Sequence, residues 1–213
     1  MVKVVKFGGS SVAGAEQFRK VKSIVEADPS RRIVVVSAAG KRDGSDHKLT
    51  DLLYLCHAHL TYGVSCEDIV HTIEQRLGRI KEELELGFDL AGEMEKLKQR
   101  LSRDISTDEL VSRGEYLTSR LMADYLGYEF VDAADCVFFS YDGQIDRDKT
   151  CLAISSAYEK HGKIVIPGFY GSLPNGRIKV MTRGGSDISG ALAAAAVNAA
   201  VSYTHLRAHE TLS

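Results

Sequence analysis

The sequence has no long hydrophobic run, no clustered cysteines and no surplus of charge of one sign, and each absence removes a class of function. The longest candidate for a membrane span, Ala191 to Ala200, is mostly alanine and far short of the ~20 apolar residues a spanning helix needs. The chain starts on a strand-like run rather than a charged and apolar leader, which argues against a signal peptide, so a soluble cytoplasmic protein is expected. Cys56, Cys66, Cys136 and Cys151 are far apart, with no CxxC or Cys/His grouping. That pattern suits reduced packing thiols rather than a disulfide framework or a metal centre. Lysine and arginine number 27 against 29 aspartates and glutamates, a formal net charge of -2, so no global basic field points to nucleic acid. A small anion remains possible, because one phosphate needs only local positive charge. Neither an internal repeat nor a low-complexity linker is present.

What is there is an ordinary globular composition, 44% hydrophobic and 26% charged over 213 residues, enough to bury a core without staples. Val2 to Phe7 is a short β-branched run ending at Gly8-Gly9. A helix is predicted from about Ala15 to Glu26, with Phe18, Val21, Ile24 and Val25 at helical spacing. The run from Arg32 to Ala38 reads as a strand buried on both faces, and the two strands joined by a helix make a parallel βαβ unit. From about 49 to 125 the pattern is helical, including the stripe Ile69, Ile73, Leu77, Ile80 and a charged stretch from Lys81 to Arg103 read as a solvated face. Strands are predicted again at Tyr128 to Val131, Val137 to Phe139 and Lys163 to Pro167. A helix is expected from Thr150 to Lys160, a hairpin turn at Asn175-Gly176, and an alanine-rich helix from Ser186 to Ala200. The fold class is α/β, a mainly parallel sheet covered by helices. The segment 201–213 breaks the pattern and is expected to be a non-native tail, leaving 1–200 as the domain with a helical insert at about 49–125.

Two glycine pairs carry the chemistry. The first, Lys6-Phe7-Gly8-Gly9-Ser10-Ser11, lies between a strand and a helix, where glycine lets backbone N–H groups approach an anion and Lys6 adds an ammonium. It is not a P-loop, because Ala15 and Glu16 follow Gly14 where Lys and Ser/Thr would be required. The second, Arg183-Gly184-Gly185-Ser186-Asp187, also precedes a helix, and Arg183 offers a planar fork for a carboxylate or phosphate. Taken singly, the first is also a common tight turn, and Ser186 or Asp187 also suits a helix cap. Both loops should lie at the carboxyl ends of strands, where open α/β sheets bind ligands, and together they suggest phosphoryl transfer to an anionic acceptor.

KFGGSSV at Lys6 to Val12, VVVSAAG at Val34 to Gly40, LTDLL at Leu49 to Leu53, RGE at Arg113 to Glu115, PGFYG at Pro167 to Gly171 and RGGSD at Arg183 to Asp187 occur in this order. The succession resembles the aspartate kinases of the amino acid kinase family over about residues 2 to 200. The resemblance implies phosphoryl transfer from ATP, with Mg²⁺, to the β-carboxylate of L-aspartate. It implies Lys6 and Asp187 as catalytic residues, with Lys6, Gly8, Gly9 and Ser10 around the phosphates. It places Ser37, Thr50, Glu115, Phe169, Arg183, Ser186 and Asp187 around the substrate, with Glu115 taking its amino group, Arg183 its carboxylate and Phe169 forming a wall. No dedicated protein metal site, nucleic acid or membrane partner is implied, and the parent enzyme is expected to be a homo-oligomer.

The family continues beyond its RGGSD helix into a Thr-Asp strand and the adenine and ribose segments, where this sequence has VSYTHLRAHETLS. The expectation is therefore an amino-terminal part of a kinase domain with little or no kinase activity of its own. Acetylglutamate kinase and glutamate 5-kinase are the rival enzymes. A fragment that binds an acidic amino acid without turnover is the non-enzymatic alternative.

Overall fold

The computed structural model describes residues 1–182 and 184–203. Strand β1 (Lys3–Phe7) leads through a 3₁₀ turn (Gly9–Val12) into helix α1 (Ala15–Glu26) and strand β2 (Arg31–Val36). Four helices follow: α2 (Leu49–Thr61), α3 (Glu67–Glu83), α4 (Leu90–Arg100) and α5 (Thr107–Leu126). Then come β3 (Glu129–Phe130), α6 (Ala133–Cys136), α7 (Arg147–His161), β4 (Ile164–Pro167), β5 (Tyr170–Ser172), β6 (Ile178–Val180), α8 (Gly185–Ala196) and β7 (Ala200–Tyr203). The main sheet has the order β3-β4-β2-β1-β7 with every neighbouring pair parallel, and β5 and β6 form a separate antiparallel hairpin.

The β-branched run of β2 explains its central place. Ile33, Val34, Val35 and Val36 are all fully buried, and the alternation of a strand divides them between two cores. Val34 and Val36 join Val5, Phe7 and the apolar stripes of α1 to α5 on one face. Ile33 and Val35 join Val4, Ile154, Tyr170 and Leu192 to Ala194 on the other. Helices therefore cover both faces, and each buried aliphatic side chain contributes about 1.5–3 kcal/mol. Lys6 sits between Val5 and Phe7, on the side of β1 that Val4 shares, where the pattern calls for an apolar residue.

Local chemistry sets the helix ends. Ser106 caps α5 by accepting the Glu109 N–H, and Gly127 ends that helix in the left-handed region at φ 65°. Asp146 caps α7 through the Lys149 N–H, and Gly162 closes it at φ 73°. The Asn175-Gly176 turn joins β5 to β6, with the Asn175 side chain accepting the Arg177 N–H at 3.1 Å. The hairpin is anchored by Tyr170, whose buried hydroxyl donates to Asp132 Oδ1 at 2.7 Å. Tyr170→Phe is expected to cost about 2 kcal/mol in urea unfolding, because a hydrogen bond to a carboxylate is lost without relief of burial. A loss below about 0.5 kcal/mol would mean that this bond does not anchor the hairpin.

Three expectations differ from the structure. The alanine-rich helix stops at Ala196 rather than Ala200, because Asn198 turns left-handed at φ 49° and Ala199 N–H reaches back to Ala194 O. Strand β7 follows, paired with β1 from Lys3↔Ala200 to Lys6↔Tyr203, so the boundary expected after residue 200 falls inside a strand. Residues 204–213 of the expected tail lie outside the described residues. Val137 to Phe139 makes only isolated bridges, Phe138 to Ser172 and Phe139 to Ile145. All four cysteines are free thiols, and burial pushes those of Cys56 and Cys136 up, Cys56 to about 12. No helix among the described residues is long and apolar enough to cross a membrane.

Candidate active site

Strand register assembles the site. Lys6 pairs with Val35, Phe7 with Val36, and Val36 with Pro167, so β1, β2 and β4 run out together. Their next residues, Gly8, Ser37 and Gly168, begin adjacent loops. Ser37 N–H donates to Phe7 O at 3.1 Å and Gly168 N–H to Val36 O at 2.8 Å, which extends the ladder by one step on each side. This is the carboxyl edge of a parallel sheet, where ligand crevices form.

The Lys6 side chain emerges at that edge, and its Nζ lies 2.9 Å from Asp187 Oδ1 in the first turn of α8. The contact is ionic without hydrogen-bond alignment, so Oδ1 has no hydrogen-bonding partner among the described residues. Helix α8 passes over the Lys6 side chain at Gly190, where a Cβ would stand 3.5 Å from that of Lys6, an ordinary contact distance. Gly185 is pressed harder, since a Cβ there would meet Met181 at 2.6 Å and the Phe169 ring at 3.0 Å. Beside Lys6, a Cβ on Gly8 would stand 3.7 Å from the ammonium, and Ser10 is exposed at the start of the 3₁₀ turn. The Gly8–Ser10 turn locks against the loop after β2, with Gly40 N–H donating to Gly9 O at 2.8 Å.

Glu115 stands on α5 beside Ala38. Gly114, the residue before it, lets the helix approach, because a Cβ there would already lie 3.1 Å from the Ala38 methyl. Thr118, one turn on, accepts the Ala39 N–H at 3.2 Å and donates to Gly114 O at 2.7 Å. The Glu115 carboxyl is only 4% exposed, and its Oε2 has no hydrogen-bond partner among the described residues. Burial pushes it up to about 8, against the opposing pull of hydrogen bonds from the backbone of Ala38 and of Glu115 itself. Thr50 is half-buried in the first turn of α2, whose start is tied back by Leu49 N–H to Ala39 O at 3.0 Å.

Phe169 holds a left-handed backbone at φ 79°, which costs a non-glycine residue on the order of 1 kcal/mol or more. Its N–H donates to Ser189 Oγ at 3.1 Å and its carbonyl accepts Met181 N–H at 2.6 Å, so both backbone groups are committed to α8 and its approach. Ser186 packs on Gly168, where a Cβ would meet Oγ at 2.7 Å. Lys6, Gly8, Gly9, Ser10, Ser37, Phe169, Ser186 and Asp187 thus gather where β1, β2, β4 and α8 meet, while Thr50 and Glu115 flank the β2 loop. Arg183 lies outside the described residues.

Sequence reasoning passed over Arg76, Asp46, Thr118 and Ser189. Arg76 had a signal: on α3 it falls on the same face as Ile73, Leu77 and Ile80, and a charge on an apolar stripe needs a buried partner. That partner is Asp46, whose carboxyl is held well below the usual carboxylate range by the Arg42 guanidinium first and by backbone donors and Arg76 as well. Two surface grooves lie elsewhere. One of about 670 Å³ runs between Phe139, Lys179, Met181 and Leu192, and one of about 810 Å³ between Leu60, Cys66, Lys98 and Arg103. Neither is lined by any candidate residue among those described.

Residues 1–204 match the model of the amino acid kinase family. The chain is 34% identical over 210 residues to aspartokinase 3 of Bacillus subtilis, covering 91% of this chain and 46% of that protein. It is 31% identical over 216 residues to the lysine-sensitive aspartokinase 3 of Escherichia coli, covering 92% and 46%. Among solved structures it superposes on Clostridium acetobutylicum aspartate kinase with TM-score 0.91 at 44% identity, over 95% of this chain and 47% of that one. E. coli aspartokinase III in complex with aspartate and ADP gives TM-score 0.79 at 26% identity, over 95% and 48%. The chain thus spans about half the length of these relatives. With a family model that spans nearly its whole length, the chain belongs to the amino acid kinase family.

Proposed function

We propose that this chain forms the aspartate-binding side and part of the phosphate side of an aspartate kinase, which transfers the γ-phosphoryl group of ATP to the β-carboxylate of L-aspartate. The observation that carries the reading is the pairing of two opposite sites at one sheet edge. The Lys6–Asp187 contact beside the Gly8–Gly9 turn suits an anion, and the buried Glu115 carboxyl beside the neighbouring loop, whose Oε2 has no hydrogen-bond partner among the described residues, suits a cation. An amino acid and a phosphate together present both.

In the reaction a β-carboxylate oxygen forms a bond to the γ-phosphorus while the bond from phosphorus to the bridging oxygen breaks, and that electron pair leaves with ADP. The product is an acyl phosphate, and no proton need move, so a general base is not required. Lys6 holds its ammonium against the transferring group, and the backbone around Gly8 and Gly9 with the Ser10 hydroxyl supplies further donors. Mg²⁺ bound with the triphosphate supplies charge neutralisation on its oxygens. Glu115 in its ionised form takes the substrate ammonium, Ser37 and Thr50 line the aspartate side, Phe169 forms a wall, and Ser186 with Asp187 completes the pocket. Arg183 is assigned to the substrate carboxylate by likeness alone. Positioning in this manner is worth several orders of magnitude in rate. Cytoplasmic location and homo-oligomeric assembly go with this reading.

Calorimetric titration of the chain with L-aspartate tests it. Saturable 1:1 binding, at least about tenfold tighter than for L-glutamate or N-acetyl-L-glutamate, is expected. Preference for either competitor, or no binding at all, would overturn the assignment. Adding MgATP and hydroxylamine, which traps acyl phosphates, then separates a catalytic chain from one that binds without turnover.

A further inference from the structure

We propose that Arg76, on the helical insert and outside every family motif in the sequence, is a positioning residue that clamps the Gly40–Leu49 loop against the phosphate-side turn and so sets the width of the aspartate pocket. The clamp is a matter of geometry, whereas its effect on aspartate rests on the function proposed above.

The loop after β2 is polar and lacks regular structure from Gly40 to Lys48, yet its two ends form one wall of the site. At one end Gly40 touches Gly9, and at the other Leu49 and Thr50 start α2. Such a segment would ordinarily be mobile, since few apolar contacts hold it. Arg76 supplies the missing anchor from beneath. Its side chain is 5% exposed, and Nη2 donates to Gly40 O at 2.7 Å while Nη1 donates to His47 O. The same Nη2 lies 3.3 Å from Asp46 Oδ2, itself on a side chain only 9% exposed. Asp46 in turn accepts from the Arg42 backbone N–H at 3.0 Å and from Arg42 Nε at 2.8 Å, which folds the loop back on itself. One planar guanidinium thus reaches Gly40 at one end of the loop and Asp46 and His47 towards the other. A lysine ammonium, compact and without the fork, cannot span the two carbonyls and the carboxylate together. The position of Gly40 matters because its N–H holds Gly9 O, so a shift at Arg76 passes through one backbone hydrogen bond to the turn beside Lys6.

The test is backbone hydrogen exchange on the full chain, compared between wild type and Arg76→Gln. The Gly40 and Leu49 amides should exchange at least tenfold faster in the variant, while Val70 and Leu77 on α3 and Val35 on β2 stay within threefold. Aspartate should bind at least tenfold more weakly to Arg76→Gln, with Arg76→Lys between the two. Unchanged protection at Gly40 and Leu49, or equal acceleration of loop and helix, would overturn the clamp. Should Arg76→Gln fail to fold, Asp46→Asn removes one arm only, and a loop-specific rise of at least threefold is expected. No rise there would equally overturn it. If wild type binds no aspartate, the proposed function falls while the exchange comparison still decides the clamp.

Discussion

Gly40→Ala is expected to lower the unfolding free energy by about 3 kcal/mol and to abolish aspartate binding. A Cβ at Gly40 would stand 2.6 Å from the Gly9 carbonyl carbon, 2.8 Å from its oxygen and 2.8 Å from the Ser10 nitrogen. All three are backbone atoms, so no side-chain rotation relieves the clash. Relief must come from separating the two loops, which breaks the Gly40 N–H to Gly9 O bond and widens the site. Gly9→Ala strikes the same contact from the other side, at 2.8 Å from Ala38 O, and the two substitutions together should cost less than the sum of each alone. Gly44→Ala is the control, because nothing lies within 4 Å of a Cβ there, and a change below about 0.5 kcal/mol is expected. Urea unfolding of the three single variants and the double variant decides the matter. A Gly40→Ala chain as stable as Gly44→Ala would mean that the two loops do not meet as described.

Glu115→Gln is expected to move stability and binding in opposite directions. The carboxyl is raised from 4.5 to about 8 by burial, so between these values the folded chain holds a proton that the unfolded chain has released. Stability must then fall as pH rises through that window. The favourable contribution is complete below about 4.5 and gone above about 8, and its size is on the order of a few kcal/mol. The amide of the Glu115→Gln variant does not titrate, so the slope should flatten and the variant should exceed wild type in stability at about pH 8.5 but not at about pH 5. Binding runs the other way. A substrate ammonium pairs with the ionised carboxylate, so affinity of wild type should rise from about pH 6 towards about pH 8 with release of a proton, by up to about tenfold per unit. In Glu115→Gln the pH dependence should vanish and affinity should fall about a hundredfold. A variant that binds aspartate as wild type does would remove Glu115 from the pocket, whatever its effect on stability.

The fold was legible where local and global demands coincide. The limits of α1 follow from the spacing of Phe18, Val21 and Val25, and the place of β2 from a run that is apolar on both faces. Ser106 and Gly127 mark the ends of α5 by capping chemistry that needs no distant partner. The end of the last helix was misjudged, because alanine favours a helix on propensity alone, and the pairing of β7 with β1 prevailed. The two residues of β3 carry too short a pattern to delimit by sequence.

Residue types alone determined that this chain is an α/β protein and marked two glycine-rich loops as candidates for binding an anion. Glu115 was singled out by the resemblance to aspartate kinases, which said nothing of its state. A carboxyl becomes buried, with its proton held more tightly, only through what surrounds it, here the approach of α5 to Ala38 that Gly114 permits. Likewise Lys6 and Asp187 are far apart in the chain, and their 2.9 Å contact exists because α8 packs over β1. Arg76 was the hardest to see, since its acceptors are two backbone carbonyls and one carboxylate on a loop about thirty residues away. Backbone acceptors leave no signature in residue type, so only the tertiary structure could assign that arginine its partners.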